Sequence, residues 1–130
     1  MDELIYNEFS FLINKYNLKY HCQKFDIGGG WIISMHSFFN EMGCFTIYNL
    51  PSRGELYFYS SKKFSTEKQQ LCEKIIDIYS IEKDVWNKYG KIGFIPNPFF
   101  WWNNKKILKV AAEIVKLQIE EKGTWMNIKI

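Results

Sequence analysis

The sequence predicts an α+β fold: a mostly antiparallel sheet of about five strands with three or four helices packed on one face. Two observations carry this. Strand-like segments in the first half follow one another through short connections, which favours antiparallel pairing. Segments with helical periodicity gather in the second half, where they have a sheet face to cover. With 130 residues, 47% hydrophobic and 18% aromatic, residues 1–130 form a single domain large enough for one core without disulfides or metal.

Asp2 is placed to cap a first helix over about residues 3–16, in which Ile5, Phe9, Leu12, Ile13 and Tyr16 recur at helical spacing. Leu4 and Phe11 interrupt its polar side, so part of a second side is covered as well. Asn17 ends the helix, and Leu18 to Phe25 alternates as a strand. The triple glycine 28–30 turns the chain into a second strand, Trp31 to Met35. A phosphate loop would need those glycines to open a helix, and here they open a strand, so a turn or bulge is expected. After a connection from Ser37 to Gly43, Cys44–Tyr48 and Glu55–Tyr59 form the clearest hairpin, with Pro51 and Gly54 supplying turn chemistry.

Ser65 or Thr66 caps a second helix that buries Leu71, Cys72, Ile75, Ile76 and Tyr79. A short helix over Ile81–Tyr89 stops at Gly90. Pro96 and Pro98 then deny regular structure to the aromatic run Phe94–Trp102. Asn103 or Asn104 caps a helix from about 105 to 121, whose Ile107, Leu108, Val110, Ala111, Ile114, Val115 and Ile119 cover roughly half its circumference. Gly123 closes that helix, and Trp125–Ile130 alternates as a final strand.

Composition excludes several functions. No stretch approaches about 18 consecutive apolar residues, so no membrane span is expected. The opening Met1-Asp2-Glu3 is acidic where a secretory signal is basic, and with three scattered cysteines, Cys22, Cys44 and Cys72, it points to the cytoplasm. Charge is uneven: residues 1–60 hold six acids against four basic residues, and residues 61–130 hold thirteen lysines against eight acids. Sixteen lysines accompany a single arginine, Arg53, and acids are interleaved among them, so no nucleic-acid partner is expected.

Nothing local signals catalysis. Cys22, Cys44, His21 and His36 match no zinc spacing, and neither Cys44 with His36 nor Cys22 with the adjacent His21 has a nucleophile signature. No catalytic residue, metal or cofactor is assigned, and the chain is expected not to be an enzyme. The partner-binding candidates are Tyr48, Arg53, Tyr57, Tyr59, Phe99, Trp101 and Trp102. The three tyrosines either share an exposed face or pair across strands beneath helices. The rings of 99–102 either cap the core as a lid, the favoured reading, or anchor a partner.

The hairpin Cys44-Phe45-Thr46-Ile47-Tyr48-Asn49-Leu50-Pro51-Ser52-Arg53-Gly54-Glu55, preceded by a helix and a glycine-broken strand pair, resembles the core of small bacterial immunity proteins. These accompany the toxins of contact-dependent and type VI or VII secretion systems. The resemblance covers about the first half of the chain. It implies a cytoplasmic, non-enzymatic inhibitor that binds one cognate toxin domain and blocks its active site or an essential surface. Immunity proteins against nucleases often present acidic surfaces, whereas this chain carries +3. The resemblance therefore implies either a toxin that is not a basic nuclease or contacts made by the acidic N-terminal half. The alternative function is a small-ligand or peptide-binding domain with an aromatic-lined pocket.

Overall fold

The computed structural model describes residues 1–26, 28–51, 55–66, 74–75, 104–125 and 128–129. Within them the chain is α+β. Helix α1 (Asp2–Asn14) leads into strands β1 (Lys19–Asp26), β2 (Ile32–Asn40), β3 (Gly43–Leu50) and β4 (Glu55–Ser61). Strand β5 (Lys74–Ile75), helix α2 (Asn104–Lys122) and strands β6 (Thr124–Trp125) and β7 (Ile128–Lys129) follow. Strands β1 to β5 form one antiparallel sheet in sequence order, and β6 pairs with β7 separately.

The register sorts side chains onto two faces, because alternate residues of a strand point to opposite sides. Tyr20, Cys22 and Lys24 of β1 lie opposite Phe38, His36 and Ser34 of β2. Those three lie opposite Phe45, Ile47 and Asn49 of β3, and Ile47 and Asn49 oppose Phe58 and Leu56 of β4. Both described helices pack on this face. Ile5, Phe9 and Leu12 of α1 and Ile107, Leu108, Ala111, Ile114 and Val115 of α2 join Phe38, Phe45, Ile47 and Phe58 in one buried cluster. Each fully buried Ile, Leu, Val or Phe contributes roughly 1.5–3 kcal/mol, so this cluster is the main source of stability. The other face holds a smaller buried group, Ile33, Met35 and Tyr48.

Helix α1 follows the predicted stripe: Ile5, Phe9 and Leu12 are buried, while Leu4, Phe11, Ile13 and Tyr16 are partly buried against the core. Asn17 takes a left-handed φ of 59°, a conformation asparagine tolerates, and the chain turns there into β1. Gly28, Gly29 and Gly30 all have positive φ, which accounts for their place in the β1–β2 turn. Gly123, at φ 69°, closes α2.

Four expectations are corrected. Asp2 is not a cap: Met1 holds the cap position with no side-chain bond, and the Asp2 carboxylate is taken by donors on the sheet. The Ser37–Gly43 connection shrinks to a two-residue turn, since Asn40 pairs with Gly43. Strand β2 runs on because the buried Ser37 hydroxyl finds Thr46 across the ladder at 3.2 Å, and the Asn40 carboxamide oxygen accepts the Met42 N–H at 2.8 Å in the turn. Lys74 and Ile75, expected inside a helix, pair with Ser60 and Tyr59 as β5. The final strand is instead a small hairpin, β6 against β7, which seats buried Trp125 edge-on against Phe45 with ring centroids 5.6 Å apart. Two helices lie among the described residues, fewer than the three or four expected. The expected helix over 81–89 and the aromatic run 94–102 lie outside the described residues, as do Arg53 and Cys72.

Candidate functional site

Along the helix-covered face, β2 changes character: Phe38 belongs to the apolar core, but His36 and Ser34, the next inward positions, are polar and almost fully buried. Asn49 on β3, opposite Ser34, is buried too. Buried polar groups need partners. Helix α1 supplies one, because its first turn carries Asp2 over this end of the sheet. The Asp2 carboxylate accepts from Asn49 Nδ2 at 2.9 Å, His36 Nε2 at 3.0 Å and Ser34 Oγ at 3.0 Å. Lys24 Nζ lies 3.8 Å away on the exposed side.

This geometry determines the histidine tautomer. A carboxylate only accepts, so Nε2 carries the proton and Nδ1 is an acceptor, filled by the Tyr20 hydroxyl at 2.7 Å. The chain of contacts therefore runs Tyr20 O–H to His36 to Asp2. Burial pushes the Asp2 carboxyl up, but the bonds from Asn49, His36 and Ser34 outweigh it and hold the group below the usual carboxylate range. Burial pushes His36 down, aided by Lys24 and only partly opposed by Asp2, so the pKa of the ring lies below its ordinary value. Burial, then the neighbouring Cys22 thiol, Asp2 and Tyr6, push the Tyr20 phenol up.

These directions describe a tie rather than a poised nucleophile. An activated hydroxyl or thiol needs a lowered pKa or a free base beside it, and here the phenol is raised and both imidazole nitrogens are engaged. Cys22 is exposed and sits opposite His36 in the ladder. Cys44, paired with Phe39, lies on the other face with His21, so the set Cys22, Cys44, His21 and His36 is divided between two faces.

The same end of the sheet exposes large apolar side chains. Ile32 is 48% exposed, Met1 42%, Trp31 40% and Tyr57 37%. Ile32 lies beside the Ser34–Asn49–Leu56 row, Trp31 precedes it, and Met1 precedes Asp2, which bonds Ser34; Tyr57, next to Leu56 on β4, points to the opposite face. Tyr6, also exposed, meets Tyr20 edge-on at 5.0 Å. The tyrosines singled out from sequence share the opposite face, since Tyr48 pairs with Tyr57 and Thr46 with Tyr59. Tyr48 is buried and meets Tyr59 edge-on at 4.9 Å, whereas Tyr57 is exposed. Arg53, Phe99, Trp101 and Trp102 lie outside the described residues.

At the other end of the sheet is a groove of about 800 Å³ lined by Asn17, Lys19, Phe39, Asn40, Glu41, Met42, Lys62, Lys63 and Phe64. Two of its lining residues, Phe39 and Phe64, stack with centroids 3.9 Å apart and 5° from parallel.

Sequence reasoning missed Asp2, Tyr20, Ser34, His36 and Asn49 as a unit. The available signal was the polar Ser34 and His36 at alternate positions of a strand whose neighbours are apolar and aromatic. Comparison with family models, curated protein sequences and solved structures found no match.

Proposed function

We propose that the chain is an immunity-type protein that neutralises a cognate bacterial toxin domain in the cytoplasm by direct binding, without catalysis. The observation that carries this reading is the group of exposed large side chains at one end of the sheet, Met1, Trp31 and Ile32, beside the Asp2–Lys24 pair. Aromatic residues and methionine are enriched in interface cores, and a charged pair at the edge suits a polar rim. The resemblance of the Cys44–Glu55 hairpin to immunity proteins supports the same reading. The Asp2–His36–Tyr20 tie then has a role in recognition: it fixes α1 to the sheet and so holds Met1 and Tyr6 in place relative to Trp31 and Ile32. Arg53, Tyr57, Tyr59, Phe99, Trp101 and Trp102 remain contact candidates, while Tyr48 is buried and is not one; no nucleic acid or membrane partner is invoked.

Co-expression with a toxin domain encoded beside this chain should restore growth and yield a complex that survives gel filtration. Trp31→Ala with Ile32→Ala should weaken that complex by on the order of 2 kcal/mol while leaving the circular dichroism spectrum unchanged. Continued killing in the presence of folded protein would reject the proposal.

The groove supports a second reading, that of a small-ligand site. Its volume of about 800 Å³ falls in the range of ligand pockets, and stacked rings beside Lys19, Lys62 and Lys63 suit a planar anionic molecule. Chemical-shift changes confined to Phe39 and Phe64 on titration with such compounds would favour it over toxin binding.

A further inference from the structure

We infer that the groove at the β2–β3 turn binds a planar aromatic phosphate monoester of the nucleoside monophosphate class. This rests on the ligand-site reading of the groove and narrows it from planar anions in general to a dianion. Lys19, Phe39, Cys44 and Ser61 form one row across the sheet. Past Ser61 the chain doubles back over that row: the Phe64 ring stacks on Phe39 and lies 5.4 Å from the ring of His21 on β1. Lys62 and Lys63 thereby border the same groove as Lys19. Hydrogen bonds hold these borders, since the Ser61 hydroxyl donates to the Lys63 carbonyl at 3.3 Å and the Asn17 N–H donates to the Ile13 carbonyl at 3.1 Å. The groove is formed by the fold itself, as ligand pockets usually are.

Charge specifies the occupant. Lys19, Lys62 and Lys63 are exposed, and among the described residues none of them is in an ion pair. The only acid among the described lining residues is Glu41, so three cations face one anion. A monocarboxylate leaves most of that excess unmatched, whereas a phosphate monoester carries about −1.5 to −2 at neutral pH. The donor type agrees. Carboxylates are matched best by the planar fork of arginine, and no arginine is among the described lining residues; lysine is a point charge with three donors, which suits phosphate oxygens approached from several directions. The rings of Phe39 and Phe64 account for the other half of the ligand, because a planar base stacks on an aromatic side chain whatever the identity of the base.

Titrating the full chain with adenosine monophosphate, followed by NMR, should shift the signals of Lys19, Phe39 and Phe64. Adenosine alone and inorganic phosphate alone should each bind at least about tenfold more weakly, since each keeps only half of the contacts. Lys62→Glu with Lys63→Glu, both at exposed positions, should raise the dissociation constant about tenfold or more at an unchanged circular dichroism spectrum, and Glu41→Gln should lower it about threefold. Adenosine or inorganic phosphate binding as tightly as the nucleotide would overturn the inference, as would an affinity that the double lysine variant leaves unmoved. Benzoate, a planar monocarboxylate, separates the inference from the reading beneath it. If benzoate shifts these residues and adenosine monophosphate does not, the phosphate assignment falls and the ligand site stands; if neither does, both fall.

Discussion

Replacing Asp2 with alanine removes the common acceptor of three buried donors. Ser34, His36 and Asn49 are 2%, 1% and 2% exposed, and each bonds the Asp2 carboxylate. A buried donor left without an acceptor costs about 1–3 kcal/mol, which sets a nominal upper range of roughly 3–9 kcal/mol for the three. Water reduces this, because the Asp2 side chain is itself 33% exposed and solvent can enter the space it leaves. The expected loss is therefore about 3 kcal/mol, near the lower end. Urea unfolding followed by tryptophan fluorescence should show this as a lower midpoint at unchanged slope, with exposed Glu3→Ala as a control moving by no more than about 0.5 kcal/mol. A cycle with Asn49→Ala should show coupling of about 1 kcal/mol or more, since the two side chains share a bond. A loss below about 1 kcal/mol, comparable to the control, would refute the argument that the carboxylate holds α1 to the sheet.

Other consequences can be tested with single variants. The pKa of His36 lies below the ordinary histidine value of about 6.5, so between the two values the unfolded chain binds a proton that the folded chain refuses. Its stability contribution is full above about pH 6.5 and falls as pH drops toward the folded pKa, by up to about 1.4 kcal/mol per pH unit. His36→Phe should flatten Tm against pH in that window, leaving the separate acid loss from Asp2, whose folded pKa lies below 3.8; parallel profiles would contradict the assignment. Thr46→Val leaves the buried Ser37 hydroxyl without its partner and should cost about 1–2 kcal/mol, much of it recovered in Ser37→Ala/Thr46→Val. Trp125→Ala should cost about 3–5 kcal/mol in chemical denaturation. Trp125→Phe should cost less than half of that, because the buried Trp125 Nε1 has no hydrogen-bond partner to lose.

What could be read in advance was what depends on local chemistry. The stripe of Ile107, Leu108, Val110, Ala111, Ile114, Val115 and Ile119 makes α2 legible, and all seven are buried. The left-handed Asn17 and the glycine turn were equally visible, since few residue types adopt those conformations. Strand β2 was underestimated because Ser37 looks like loop chemistry until Thr46 is placed beside it. The pair Lys74–Ile75 failed for a different reason: a short apolar segment serves a helix stripe or a buried strand equally well, and only the neighbouring Tyr59–Ser60 decides. The Asp2 network was the least legible part. An aspartate before a helical stripe has a local use as a cap, and nothing nearby reveals donors 32, 34 and 47 residues away.

Those separations also bear on the order in which the chain acquires its structure. Helix α1 leaves the ribosome well before Asn49, yet its carboxylate is satisfied by side chains from both β2 and β3. Until that hairpin has been synthesised and has closed, Asp2 stays hydrated and α1 is an isolated 13-residue helix, marginal in water by itself. Docking of α1 is thus a late event in synthesis, and nascent chains arrested before residue 49 emerges should leave α1 open to protease.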